Sequence, residues 1–182
     1  TFVRPKVIRK AIIQTHSDLY AANQQQRSIN RLLGLGAYKF VNLKYELRRF
    51  KDTLFLDRKF YLTPSLTQDF SAEVGASTLS TASSSFNLGL NLNYTHRNIF
   101  NGSERLNIRF STDAATQLGR EVDFINSVNL ALEGQLSFPD FKVPFNLFRW
   151  SQAWQARTNA SLRGDYQRRT NFFTLISLNA KY

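Results

Sequence analysis

Residues 87–110 read NLGLNLNYTHRNIFNGSERLNIRF, an apolar–polar alternation that pauses at Asn101-Gly102 and then resumes. Leu88, Leu90, Leu92 and Tyr94 point one way from an extended chain, and Asn87, Asn91 and Asn93 point the other. Beyond the pause, Leu106, Ile108 and Phe110 oppose Arg105, Asn107 and Arg109. A period of two is the mark of a strand, because successive side chains leave opposite faces of the pleat. Asn-Gly between two such runs is a hairpin signal. This feature leaves two kinds of fold. A soluble hairpin puts the apolar face on a core; a membrane barrel turns it outward to lipid.

The pattern recurs. Six segments with period two follow Pro64. The first sets Leu66, Phe70, Ala72, Val74 and Ala76 against Thr67, Asp69, Ser71 and Glu73. The quoted pair supplies the second and third. The fourth sets Val128, Leu130, Leu132, Leu136 and Phe138 against Asn129, Glu133 and Gln135. The fifth sets Ala156, Ala160, Leu162 and Tyr166 against Arg157, Asn159, Arg163 and Asp165. The sixth, with Phe172, Ile176, Leu178 and Tyr182 against Ser177, Asn179 and Lys181, is less clean, since Phe173 and Leu175 fall on its polar side. Strands of about ten residues cross a bilayer when tilted, whereas globular strands usually have about five or six, so length favours the membrane. The expected connections are 78–85, 97–103, 113–123, 139–154 and 167–171. Both tryptophans, Trp150 and Trp154, fall in the fourth. Trp gathers at membrane interfaces, although it also caps soluble cores.

The chain has 182 residues, with 24 Lys+Arg against 13 Asp+Glu, a formal charge of +11. Such a balance suits nucleic acid or an anionic membrane surface. The arginines are scattered through the strand patterns and form no block, which reads as a solvated strand face rather than a nucleic-acid groove. With no cysteine there is no disulfide framework and no Cys-based metal site. An opening Thr-Phe-Val-Arg-Pro without Met is expected to follow an upstream segment. No apolar run has the length of a membrane-crossing helix, which says nothing against a barrel.

Residues 1–63 differ. Pro5 suits the first turn of a short helix, with Val7, Ile8, Ala11 and Ile12 on its apolar face. A second helix is expected from Ala21 to about Leu33, with Ile29, Leu32 and Leu33 turned inward and Gly34 and Gly36 as stop signals. Strands follow over 39–48 and 53–63, with Lys51-Asp52 in the turn.

Taken together, the residues resemble one family. Val3-Arg4-Pro5-Lys6, Leu19-Tyr20 and the run INRLLGLGAYKFVN from Ile29 to Asn42 look like the last POTRA domain of BamA/TamA-type outer-membrane assembly factors, in a Bacteroidetes-like style. YTHRNIFNGSERL, from Tyr94 to Leu106, looks like the family's second and third barrel strands, whose usual turn is Asn-aromatic-Gly followed by Glu. Pro64 resembles the junction into the first barrel strand. The resemblance implies a mainly β chain. Residues 1–63 would be a partial POTRA of order α-α-β-β without its leading strand. Residues 64–182 would be the N-terminal part of a sixteen-stranded transmembrane barrel, with about six strands. The chain is therefore expected to be an internal piece of a longer protein. Leu162-Arg163-Gly164-Asp165-Tyr166 looks superficially like the family's Arg-Gly-aromatic loop motif, but it sits in a strand pattern, so that role is not carried over.

The resemblance further implies a bacterial outer-membrane location with the POTRA part in the periplasm. Its partners would be outer-membrane lipid, unfolded outer-membrane protein clients and periplasmic or lipoprotein accessory subunits, with no nucleic acid. The first barrel strand would pair weakly with the last and act as a lateral gate, where an incoming client strand adds by main-chain hydrogen bonds. Here that strand is about Leu66 to Ser77, and its candidate residues are Leu66, Gln68, Phe70, Ala72, Val74, Gly75 and Ala76. Ala72, Gly75 and Ala76 suit a thin, loosely held strand and are equally ordinary strand filler. The POTRA sheet edge at Lys39, Phe40, Val41, Asn42 and Leu43 is a second candidate, with core the better reading for the side chains of Phe40, Val41 and Leu43. Candidate membrane-interface aromatics are Tyr94, Phe100, Phe138, Trp150, Trp154 and Tyr166.

Enzyme chemistry is thin. His16 and His96 lack plausible zinc partners, and His96 reads as an interfacial or hydrogen-bonded histidine. Asp69 and Glu73 stand about 13 Å apart on one strand face, too far for a retaining carboxylate pair. Ser17-Asp18 beside His16 resembles a triad only in composition. No catalytic residue, metal or cofactor is expected. Against the assembly factor stand a passive porin-like barrel, which would have no helical module, and a two-partner-secretion-type transporter, which shares the plan. A soluble lipid- or nucleic-acid-binding β-barrel would need shorter strands.

Overall fold

The computed structural model describes residues 2–13, 22–51, 53–79, 85–117, 125–139 and 157–182. Its contacts divide the chain into two units at Thr67–Gln68, with Arg97–Glu104 grouping with the first.

In the first unit, Pro5 opens α1 (Pro5–Ala11), where its missing N–H costs nothing, and Ile12 leaves it in an extended conformation. Helix α2 (Ala22–Gly34) buries Ser28 and Leu32, one turn apart. Ser28 is buried because its hydroxyl is fully used. It donates to Gln24 O at 2.8 Å and accepts from Ile13 N–H at 3.0 Å. Leu33, expected inward, is exposed. It lies about 100° around the helix from Leu32, off the narrow Ser28–Leu32 stripe. The helix closes with Gly36 N–H on Leu33 O at 3.0 Å and Gly36 at φ 71°, a conformation glycine adopts without strain.

Strands β1 (Tyr38–Phe50) and β2 (Thr53–Pro64) form an antiparallel ribbon in register Val41↔Leu62 through Phe50↔Thr53. Lys51, at φ 52°, turns the chain. The core is Val3, Ala37 and Tyr38, packed by Phe2, Val7, Ile8, Leu35, Val41 and Leu62. Phe2 meets Tyr38 edge-on at 6.3 Å. Phe40, read from sequence as core, is 60% exposed. The register shifts between Tyr38 and Phe40. A bulge there lets both Tyr38 and Val41 turn inward, which strict alternation forbids.

The second unit is a six-stranded antiparallel meander in sequence order. Its strands are β3 (Gln68–Leu79), β4 (Ser85–Arg97), β5 (Arg105–Gln117), β6 (Ser127–Phe138), β7 (Thr158–Arg169) and β8 (Phe173–Lys181). Five of them have 12 or 13 residues. The first strand starts two residues later than Leu66, and β5 runs through Asp113, where a loop was expected. Asp113 does not end the strand because its side chain lies on the polar face, where Asn129 Nδ2 donates to it at 2.6 Å. Register keeps like with like. Phe70, Ala72, Val74 and Ala76 oppose Tyr94, Leu92, Leu90 and Leu88. Leu106, Phe110 and Ala114 oppose Leu136, Leu132 and Val128. Tyr166 and Gly164 oppose Ile176 and Leu178.

Candidate functional site: a two-faced sheet with an open first strand

A strand presents its side chains to two faces and its main chain to two edges. The β3–β8 sheet uses all of these. Its apolar face extends from Val74 on β3 to Leu178 on β8, and among the described residues no layer covers it. Val74 is 74% exposed, Leu132 56% and Leu178 74%. A soluble sheet would bury such a row, at about 25 cal/mol for each Å².

The other face carries a polar row that crosses all six strands. Asn93 Nδ2 on β4 donates to Ser71 Oγ on β3 at 3.4 Å. Arg109 Nε on β5 donates to Asn93 Oδ1 at 3.0 Å. Glu133 on β6 then stands between Arg109 at 3.9 Å and Arg163 on β7 at 3.7 Å. Arg163 grips Asp165 with Nε at 2.8 Å and Nη2 at 2.7 Å. Ser177 and Asn179 on β8 also hydrogen-bond Asp165. Thr95 with Asn107 and Asp113 with Asn129 extend the network. These charges lie half in water, where one pair is worth at most about 1 kcal/mol. The row therefore marks a hydrated face rather than a store of stability. Sequence reading placed these residues on the polar side but did not link them. The link needs the register, which aligns Arg109 with Glu133 and Glu133 with Arg163.

The predicted gate residues fall as follows. Gln68, Phe70, Ala72, Val74, Gly75 and Ala76 lie on β3, which hydrogen-bonds only to β4 within the sheet. Phe70, Ala72, Val74 and Ala76 share the apolar face, and Gly75 faces Gly89 on the polar one. Leu66 precedes the strand; its carbonyl accepts from Arg97 Nη1 at 3.2 Å. Asp69 and Glu73 sit on the polar face opposite Thr95 and Asn91. The Nδ1 of His96 is buried without a hydrogen-bond partner among the described residues. Lys39, Phe40, Val41, Asn42 and Leu43 lie on β1, which among the described residues pairs with β2. Among the aromatics, Tyr94, Phe138 and Tyr166 are half-buried strand residues and Phe100 is exposed in the 97–104 turn. Trp150, Trp154, His16, Ser17, Asp18 and the Leu19-Tyr20 pair lie outside the described residues.

Sequence reading missed the chemistry of that turn. Asn98 (φ 73°), Asn101 (φ 59°) and Ser103 (φ 67°) all adopt the left-handed region, and Asn98, Ser103 and Glu104 are buried. Asn98 N–H donates to Glu104 O at 2.7 Å, and the Glu104 carboxylate accepts from Gly102 N–H at 2.9 Å. Arg4 N–H donates to Asn101 O at 2.8 Å. Among the described residues, no cluster of His, Asp or Glu has metal-binding geometry, and no helix is long and apolar enough to cross a membrane.

No family model matches the sequence, and no curated protein does. Among solved structures, the chain is similar to the crystal structure of BamA from Haemophilus ducreyi lacking POTRA domains 1-3, at 13% identity and a TM-score of 0.41. The alignment covers 98% of this chain and 40% of that one. What the chain is can be stated from its own coordinates: a mainly β protein built on an antiparallel meander with one greasy face and one wet face.

Proposed function

We propose that the β3–β8 sheet is part of a transmembrane β-barrel of a bacterial outer membrane, and that the chain belongs to a machine that assembles other barrel proteins there. One observation carries this reading. An exposed apolar face crosses six strands opposite a hydrogen-bonded polar row. Hydrocarbon provides the burial that the apolar face lacks, and a water-filled interior suits Asn93, Arg109, Glu133 and Arg163. At about 3.4 Å for each residue and a tilt of about 45°, twelve-residue strands cover the hydrophobic thickness of a bilayer. A bilayer tolerates no unpaired main chain, so an open sheet of six strands needs further strands to close it.

The edge of β3 gives the proposed activity. Its outer main-chain groups template an extended client strand by hydrogen bonds, and the client then leaves into lipid. Small residues at Ala72, Gly75 and Ala76 leave that edge lightly packed. The residues before β3 form the periplasmic, POTRA-like part, where clients or accessory subunits are received. On this reading the chain performs no covalent chemistry.

Single cysteines at adjacent positions test the membrane assignment, since the chain has none of its own. In outer membranes, Glu133→Cys should react with a charged, membrane-impermeant thiol reagent and Leu132→Cys should not. Equal labelling of both would refute the lipid-facing assignment. A photo-crosslinker at Ala72 should capture an unfolded barrel client, whereas one on the sheet interior at Ala131 should not.

A further inference from the structure

Asn101 and Gly102, the pair that pauses the strand alternation, form a dipeptide prone to cyclise. The main-chain nitrogen of Gly102 attacks Cγ of the Asn101 side-chain amide. A new C–N bond forms, the side-chain nitrogen takes the Gly102 proton and leaves as ammonia, and a succinimide ring remains. Water then opens the ring at either carbonyl, giving aspartate or isoaspartate. Glycine at the second position permits the attack because it has no Cβ to shield its nitrogen. Asn101 is exposed, so water reaches the ring. We propose that Asn101 is a latent self-modification site, held shut by the folded 97–104 turn with Glu104 as its guard.

Geometry supplies the lock. The ring needs Gly102 N eclipsed with the Asn101 Cβ, a ψ about half a turn away from the left-handed value. Asn101 stands in the left-handed region, at φ 59°. Closing the ring therefore turns over the peptide between Asn101 and Gly102. That peptide is tied on both sides. Its carbonyl accepts from Arg4 N–H at 2.8 Å, and its N–H donates to the Glu104 carboxylate at 2.9 Å. Both bonds must break before attack. Gly102 and Glu104 are buried, so water compensates poorly for the lost partner. Charge adds to geometry: the attacking species is the deprotonated nitrogen, and the carboxylate beside it disfavours a second negative charge. Attack therefore waits for local opening of the turn, and its rate follows the population of that open form. Isoaspartate lengthens the turn by one main-chain atom and adds a negative charge, so the closed bonds around Asn98 and Glu104 are lost. The modification is a one-way release of the turn from the Phe2–Arg4 segment. The chemistry is the same whether or not the sheet spans a membrane.

The test incubates the full chain at mildly alkaline pH, folded in detergent and unfolded in urea, and follows the tryptic peptide 98–105 by mass spectrometry. Fragmentation places each amide-to-acid change at Asn101 or Asn98. Asn98, followed by the branched Ile99, is the slow internal reference. In the folded parent Asn101 should stay amidated while the unfolded chain converts it. Glu104→Gln keeps the shape but trades a charged acceptor for a neutral one. It should speed conversion at Asn101 in the folded chain about tenfold, with Asn98 unchanged. Equal rates in the folded and unfolded parent overturn the proposal, and that comparison needs no variant to fold. An unchanged rate in folded Glu104→Gln removes Glu104 as the guard. A slower one makes its carboxylate the base that promotes attack, the reverse of what is proposed.

Discussion

Asn98 holds the 97–104 turn from within: its Oδ1 accepts from Ser103 N–H at 2.9 Å while its Nδ2 donates to Phe2 O. One amide therefore serves both a turn in the left-handed region and the segment that enters the core. Asn98→Asp keeps the acceptor for Ser103 but faces the Phe2 carbonyl with a second oxygen. Asn98→Gly suits φ 73° but loses both bonds. Each variant should lose about 1–3 kcal/mol, the cost of leaving buried backbone groups unpaired. Urea unfolding of the solubilised chain measures it. If Asn98→Gly equals the parent, the side chain contributes only its backbone tolerance.

Gly102 tests the same turn sterically. A β-carbon there would overlap the Glu104 carboxylate, standing 2.9 Å from its Cδ and 3.0 Å from Oε2. That carboxylate is buried and accepts from Gly102 N–H, so it cannot yield without losing its partner. Gly102→Ala should therefore cost about 1–3 kcal/mol, while the double change with Glu104→Ala should cost less than the two single changes summed. Strict additivity in this cycle would show that the overlap is relieved elsewhere.

Gly75 predicts the opposite sign. A β-carbon on it would meet nothing within 4 Å. Gly75→Ala should stabilise β3 by about 0.5–1 kcal/mol through lost unfolded-state freedom. If client insertion uses a loosely held first strand, the same change should slow assembly of clients in a reconstituted insertion assay. Faster insertion by the stiffened strand would argue against a loose gate.

Lys59 sets an alkaline signature for the ribbon. Its hydrogen bond and charge attraction to Glu46 raise its pKa above the ordinary lysine value. A raised lysine contributes its stability fully below the unfolded-state pKa and loses it as pH rises through the folded one. The stability that Lys59 itself contributes should therefore be lost on the alkaline side, and Glu46→Gln should return Lys59 towards the ordinary range. Titration of the Lys59 side chain by carbon NMR reads both. A pKa unmoved by Glu46→Gln would place the cause elsewhere.

Much of this architecture is legible in the residues. Pro5, Gly36 and the six alternating segments locate the helices, their stop and the strands, because propensity and the two-residue pleat are properties of the local backbone. Leu33 and Phe40 show where local reading ends. The stripe on α2 narrows to Ser28 and Leu32 because Ile13 and Gln24 supply partners for a hydroxyl there. Phe40 faces water because a bulge resets the phase of β1. Neither partner nor bulge is visible in a linear pattern.

The sequence by itself determined that the strands have a greasy side and a wet side, and in what order they come, since alternation needs only the chain's own geometry. Tertiary structure decided the rest. Register brought Arg109, Glu133 and Arg163 into one row, left the outer edge of β3 unpaired within the sheet, and folded Asn98 and Glu104 into a closed turn. These depend on which strand lies beside which, and pairing energies between distant residues, not local preference, set that choice.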